Sequence, residues 1–166
     1  MGYSGHKHQK GEKALAIADN SGNIIAPMVV KSVNVHDSLL FDESFTKLLE
    51  MADGFLWNLK DCYLTLDSGF DSADNKWLVA GAGMIPVIKP NARGTKAQEK
   101  IYQRLDEFEE LKCVYKQRYK IERCFAWEDT YRKLVIRYER LQCTFMGFRY
   151  LAYSMINFRS LFKKNP

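Results

Sequence analysis

Two acidic residues stand where a carboxylate could do chemistry. Asp67 closes the apolar run 62–66 (CYLTL) and is followed by Ser68, Gly69, Phe70, Asp71 and Ser72. A carboxylate at the C-terminal end of a strand faces the crevice where α/β proteins bind ligands. Glu122 lies in the most basic stretch of the chain, four residues after Arg118. Two readings of this pair stay open. In one, both are hard oxygen ligands for Mg2+ (or Mn2+), which polarises a phosphate and acidifies an attacking water. In the other, they are solvated surface groups, and Glu122 forms an exposed ion pair with Arg118 worth a few tenths of a kcal/mol. Competing chemistries have less support. There is no GxSxG elbow and no GxGxxG or GxxxxGK[ST] loop. His6 and His8 sit in a polar, glycine-rich start, and His36 precedes Asp37, a candidate helix cap. Cys62, Cys113, Cys124 and Cys143 are far apart with no CxxC pair, which disfavours a zinc finger or disulfide framework and suits a reducing cytosol.

The surroundings of the two carboxylates differ in charge. The 166 residues carry a net +5, but residues 1–111 sum to −4 and residues 112–166 to +9. In the basic part Arg118, Arg123, Arg132, Lys133, Arg137 and Arg140 alternate with Tyr115, Tyr119, Phe125, Trp127, Tyr131 and Tyr138. Interleaved cations and aromatics are the footprint of a surface that meets a polyanion, and a solvated helix face is the plainer alternative.

The elements that must hold these residues follow from pattern. Residues 1–12 are polar and glycine-rich and read as a flexible start, and 163–166 as a tail. Residues 13–18 (KALAIA) and 24–30 (IIAPMVV) read as two strands of a hairpin around Asp19-Asn20-Ser21-Gly22-Asn23. Asp37 or Ser38 can cap a helix over 39–52, whose Leu39, Leu40, Phe45, Leu48 and Leu49 share a stripe. A buried strand over 62–66, a helix over 73–82 capped by Asp71 or Ser72, a strand over 84–88, a Pro/Gly loop over 89–95 and a polar helix or excursion over 96–110 come next. From Lys112 the pattern is helical, with Tyr115, Arg118 and Glu122 at i, i+3 and i+7 on one face. The last helix, 142–162, is aromatic and aliphatic at helical spacing and is expected to pack on the sheet; Arg149, Asn157 and Arg159 interrupt it too often for a membrane span. The order predicts an α/β fold with a mixed sheet and flanking helices, in one domain over 13–162.

Tyr115, Arg118 and Glu122, spaced Tyr-x2-Arg-x3-Glu, together with residues 64–72 (LTLDSGFDS), resemble DDE transposases of bacterial insertion sequences of the IS-four/IS-five type. The segments 34–38 (NVHDS) and 11–22 resemble stretches that precede the second catalytic Asp in that family. The resemblance spans nearly the whole chain. It implies a ribonuclease-H-like fold and two Mg2+ ions held by Asp, Asp and Glu. It further implies cleavage and strand transfer on transposon ends and target DNA, in a bacterial, nucleoid-associated cytoplasmic setting. Asp67 and Glu122 would be metal ligands, Arg118 would hold a phosphate or orient Glu122, and Tyr115 would pack beside the DNA end. A basic residue is met seven positions after the Glu in some relatives; here that position is Asp129, with Arg132 and Lys133 just beyond.

The family's first catalytic Asp lies on a strand upstream of the stretch matched by Gly11. About ten residues precede that point here, and none is Asp. The resemblance therefore implies an amino-terminally truncated domain that lacks its first, central strand and is impaired or inactive alone. Asp19 is the remaining acidic candidate for the third metal ligand. The alternative is a non-catalytic remnant that binds DNA or associates with a full-length transposase or with itself.

Overall fold

The computed structural model describes residues 2–4, 9–91 and 98–162, and its backbone divides into two compact units. His6, His8, the 92–95 part of the Pro/Gly loop and the tail lie outside the described residues. The first unit holds two small sheets. Strands β1 (Gly2–Ser4), β2 (Gln9–Leu15) and β3 (Val29–Ser32) form one, antiparallel throughout, with Leu15 opposite Val29 and Glu12 opposite Ser32. Both β1 and most of β2 fall in the polar start, where composition predicts no regular element. Their side chains carry no hydrophobic signal, and main-chain pairing supplies the order. The hairpin strands are thus displaced from 13–18 and 24–30 to Gln9–Leu15 and Val29–Ser32. Ala18 and Ile24 keep only an isolated bridge.

Helix α1 (Asp37–Gly54) follows β3 and starts two residues earlier than the pattern predicts. Asp37 sits in its first turn, where a carboxylate complements the exposed amides, and accepts from Lys13 Nζ at 2.6 Å. Leu40, Phe41, Phe45, Leu48 and Ala52 on its inner stripe are buried with Val29, Val79, Met84, Val87 and Ile88, making the core of this unit. Strand β4 (Tyr63–Leu66) pairs in parallel with β5 (Ile85–Ile88), linked by a 3-10 turn (Ser68–Phe70) and helix α2 (Ala73–Gly81). Ser72 caps α2, its hydroxyl accepting from Asn75 N at 3.1 Å. Helix α3 (Gln98–Tyr115) and a 3-10 turn (Lys116–Arg118) complete the unit.

One mixed sheet was the expectation; the described strands form two sheets with no ladder between β3 and β4. The fold is mixed α/β with flanking helices. Helix α1 packs against both β3 and the 3-10 turn after β4, so apolar burial rather than a shared ladder ties the two sheets together.

The second unit is built from Ile17–Ile25 and the chain from Tyr119 onward. It holds α4 (Tyr119–Glu128), the short α5 (Arg132–Val135) and α6 (Gln142–Phe162). Within it α6 packs on α4 and α5, and Ala152, Tyr153 and Ile156 are buried. Asn157 treats Ile24 as a strand would. Its Oδ1 accepts from Ile24 N at 3.1 Å and its Nδ2 donates to Ile24 O at 2.9 Å. Among the described residues no helix is long and apolar enough to cross a membrane.

Candidate functional site

In the first unit Asp67 is presented on an anchored turn. It follows β4, is exposed, and its Oδ1 accepts from Ser68 N at 2.7 Å, capping the 3-10 turn. Three contacts fix that turn. The Phe70 ring lies 5.8 Å from Phe41 in the core. Asn75 Nδ2 donates to Phe70 O at 2.8 Å. Asp71, whose side chain is 3% exposed, accepts from Asn91 N at 2.7 Å, from Lys76 Nζ at 3.0 Å and from Arg104 on α3. Burial alone would raise the Asp71 carboxyl, but the Asn91 amide, Lys76 and Arg104 outweigh it and hold it below the usual carboxylate range. On the near side, a Cβ on Gly69 would stand 3.9 Å from Asp37 Oδ2, so the Lys13–Asp37 pair borders the same turn. Sequence reasoning named Asp71 only as a cap. Its anchoring role depends on Arg104, thirty-three residues away, which no local pattern announces.

Tyr115, Arg118 and Glu122 lie on three successive elements rather than on one continuous α-helix. Tyr115 ends α3, Arg118 ends the 3-10 turn and Glu122 lies in the first turn of α4. The Tyr115 ring meets Phe108 edge-on, with centroids 5.0 Å apart. Glu122 is exposed and belongs to the second unit, as does Asp19.

Asp19 is a turn builder. Its Oδ1 accepts from Ser21 N and Asn23 N, both at 2.8 Å, and its Oδ2 from Asn23 Nδ2 at 3.0 Å. This Asx geometry sets up Gly22 at φ +85°, a conformation glycine adopts without Cβ strain. The Gly22 carbonyl accepts from the buried Cys124 Sγ at 2.7 Å, and burial pushes that thiol's pKa up. Lys120 Nζ reaches Asn20 Oδ1 at 2.6 Å and Arg123 Nη2 reaches Ser21 O at 3.2 Å, so α4 grips the turn along its length.

The basic residues of this unit divide into packed and open ones. Arg123 lies between the Tyr119 ring, 5.9 Å away, and the Trp127 ring, 4.9 Å away. Arg137 stacks on Phe145 at 4.8 Å, and its Nε donates to Glu139 O at 3.0 Å. Arg132, Lys133 and Arg140 are exposed, and Lys133 stands 5.7 Å from the Phe148 ring. Sequence reasoning missed a buried residue trio in the same unit. Glu128 is buried at the end of α4 and receives both Arg149 and the Tyr153 hydroxyl from α6. Burial, then Glu128, pushes the Tyr153 hydroxyl's pKa up. Burial alone would lower that of the Arg149 guanidinium, but Glu128 outweighs it and raises it. The i, i+4 spacing of Arg149 and Tyr153 was the available signal.

Asp67 and Glu122 are of the right chemistry for a hard divalent cation. Yet among the described residues no group of three or more His, Cys, Asp or Glu side chains is placed to hold a metal ion. Asp19, the third acidic candidate, already uses both oxygens in its turn.

No curated protein and no solved structure matches the chain. A family model does, and its span takes in the Asp67 turn, the Tyr115–Arg118–Glu122 series and the basic segment after it. The match runs over residues 1–155 and describes a transposase DDE domain, the family to which this chain belongs.

Proposed function

We propose that this chain is a DNA-binding piece of a transposase catalytic domain of the IS-four/IS-five type, with little or no strand-cleaving activity alone. The family match over residues 1–155 carries this reading. In it Asp67 and Glu122 have the metal-ligating roles, for Mg2+ or Mn2+, that the family motif assigns to their positions. Arg118 and Tyr115 have the phosphate-holding and end-packing roles. The third carboxylate of that motif is not assigned to a residue of this chain. Asp19, with both oxygens committed to its turn, is not given that role.

The polyanion-facing part is the second unit. Its sequence holds ten Lys and Arg against five Asp and Glu, so the whole net +5 resides there. Exposed Arg132, Lys133 and Arg140, with Arg123 and Arg137 held by aromatic rings, suit the phosphate backbone of transposon ends and target DNA. The setting is the nucleoid of a bacterial cytoplasm.

A second reading, a non-catalytic remnant that occupies DNA or joins a full-length transposase, draws on the lack of a three-ligand group among the described residues. Incubation of supercoiled plasmid with the purified chain and Mn2+ or Mg2+ separates the two. Weak nicking lost in both Asp67→Ala and Glu122→Ala supports the catalytic reading. DNA binding without nicking supports the remnant. Absence of DNA binding at low ionic strength defeats both.

A further inference from the structure

Whatever fixes the turn after β4 decides where Asp67 stands. A 3-10 turn of three residues has poor hydrogen-bond geometry and cannot hold a side chain still by its own bonds. Phe70 N donates to Asp67 O at 2.9 Å, and Asp71 N donates to Ser68 O at 3.3 Å. The Asp67 carboxylate is tied at Oδ1, which accepts from Ser68 N at 2.7 Å. That leaves Oδ2 as the oxygen this exposed side chain offers to a cation.

These bonds continue beyond the turn. Asp71 closes the turn with its amide and leaves it with its buried carboxylate. That carboxylate accepts from Asn91 N past the end of β5, from Lys76 Nζ on α2 and from Arg104 Nη2 on α3. An unbroken path of hydrogen bonds therefore runs from Arg104 through Asp71 and Ser68 to Asp67 Oδ1. Every residue on it lies in the first unit, so the path does not depend on the second.

Helix α3 meets the Asp67 strand at two places. The Lys116–Arg118 turn that follows its far end packs on β4. Arg104, in its second turn, holds the segment that follows β4. The strand and its exit are thus braced by one rigid element. Such bracing suits a ligand for a small hard cation. Mg2+ demands near-ideal octahedral geometry, and a carboxylate about 1 Å out of place serves it poorly.

We propose that Arg104, acting through Asp71, is a positioning residue that sets the Asp67 carboxylate for a divalent cation. This rests on the reading of Asp67 as a ligand for Mg2+ or Mn2+, and two measurements on the full chain keep the two claims apart. The first is amide hydrogen exchange by nuclear magnetic resonance. Arg104→Ala and Asp71→Asn should each speed exchange at Ser68 and Asp71 by about tenfold beyond any change at Phe45 and Leu48 in α1, which report overall stability. The double variant should be no worse than the worse single one, because both cut the same path. Arg104→Lys should keep most of the protection, since one cationic donor reaches Asp71 through Nη2 alone. The second measurement is Mn2+ titration, read from broadening of the Gly69 amide signal. Broadening should vanish in Asp67→Ala and should need about tenfold more Mn2+ in Arg104→Ala. If Asp71→Asn fails to fold, Arg104→Ala and Arg104→Lys carry both measurements. Exchange at Ser68 and Asp71 that rises no more than at Phe45 and Leu48, or losses that add in the double variant, overturns the positioning role whether or not Mn2+ binds. An Arg104→Ala chain that loses turn protection yet broadens at the same Mn2+ concentration also overturns it. Broadening absent from the unmodified chain, or surviving in Asp67→Ala, overturns the ligand reading of Asp67 and the cation clause with it.

Discussion

Arg149 on α6 grips both carboxylate oxygens of Glu128 on α4, with Nε 2.5 Å from Oε1 and Nη2 2.8 Å from Oε2. The two side chains are 11% and 9% exposed, so this is a desolvated ion pair and not a surface one. Removing one partner strands a buried charge, which costs about 3 kcal/mol or more. Arg149→Ala and Glu128→Ala should each lower the unfolding free energy from urea denaturation by that amount. Arg149→Lys should recover only part of it, since an ammonium cannot reproduce the planar fork. Equal stability of Arg149→Ala and the unmodified chain would show that the pair contributes nothing.

Asp71 should give the protein an acid limb. Its folded-state pKa lies below the unfolded carboxyl value of 3.8. The carboxylate's contribution is therefore full above that value and is lost as the pH falls through the folded one. Asp71→Asn should be less stable by about 1–3 kcal/mol at neutral pH and should lose less on acidification to about pH 3. Parallel pH profiles for the two proteins, by urea denaturation, would exclude Asp71 as the source.

Gly22 is the conformational hinge of the Asp19 turn. An added methyl there meets both a left-handed backbone and Arg123 Nη2 at 3.2 Å. Gly22→Ala should destabilise the protein by about 1–2 kcal/mol. Gly81→Ala, a helical position where a Cβ meets nothing within 4 Å, should be neutral or stabilising in the same thermal melt.

Arg132, Lys133 and Arg140 should carry salt-dependent DNA affinity. Replacing all three with Ala should flatten the plot of log affinity against log salt by about one unit for each phosphate left without its cation. The weakening should be the same for unrelated DNA sequences, because phosphate contacts carry no base information. An unchanged slope in fluorescence anisotropy would place the DNA surface elsewhere.

Elements with a periodic apolar signal were legible in the sequence. Of the expected Leu39/Leu40/Phe45/Leu48/Leu49 stripe, Leu40, Phe45 and Leu48 are buried while Leu39 is exposed and Phe41 is buried in its stead; the CYLTL strand and the Ser72 cap each determine their element locally. The hairpin was misplaced, because Gln9, Lys10 and Glu12 pair through main-chain bonds that side-chain pattern does not report. The separation into two sheets was hidden for a related reason: strand adjacency is a long-range property. At the site, the Asp67 turn was visible from its residue types. The partners of Asp71 and Glu128 were not, since Arg104 and Arg149 lie thirty-three and twenty-one residues from them.

The clasp between Asn157 and Ile24 joins residues 133 positions apart. During synthesis the ribosome must add all of those residues before Ile24 meets its partner. At ~5–20 residues per second that is a wait on the order of ten seconds. Until then the turn has α4 on its Asn20–Gly22 side, but Ile24 lacks the clasp that completes its main-chain bonding. A protein made this way depends on how quickly its last helix arrives, and slow translation of the final third should raise the share that aggregates.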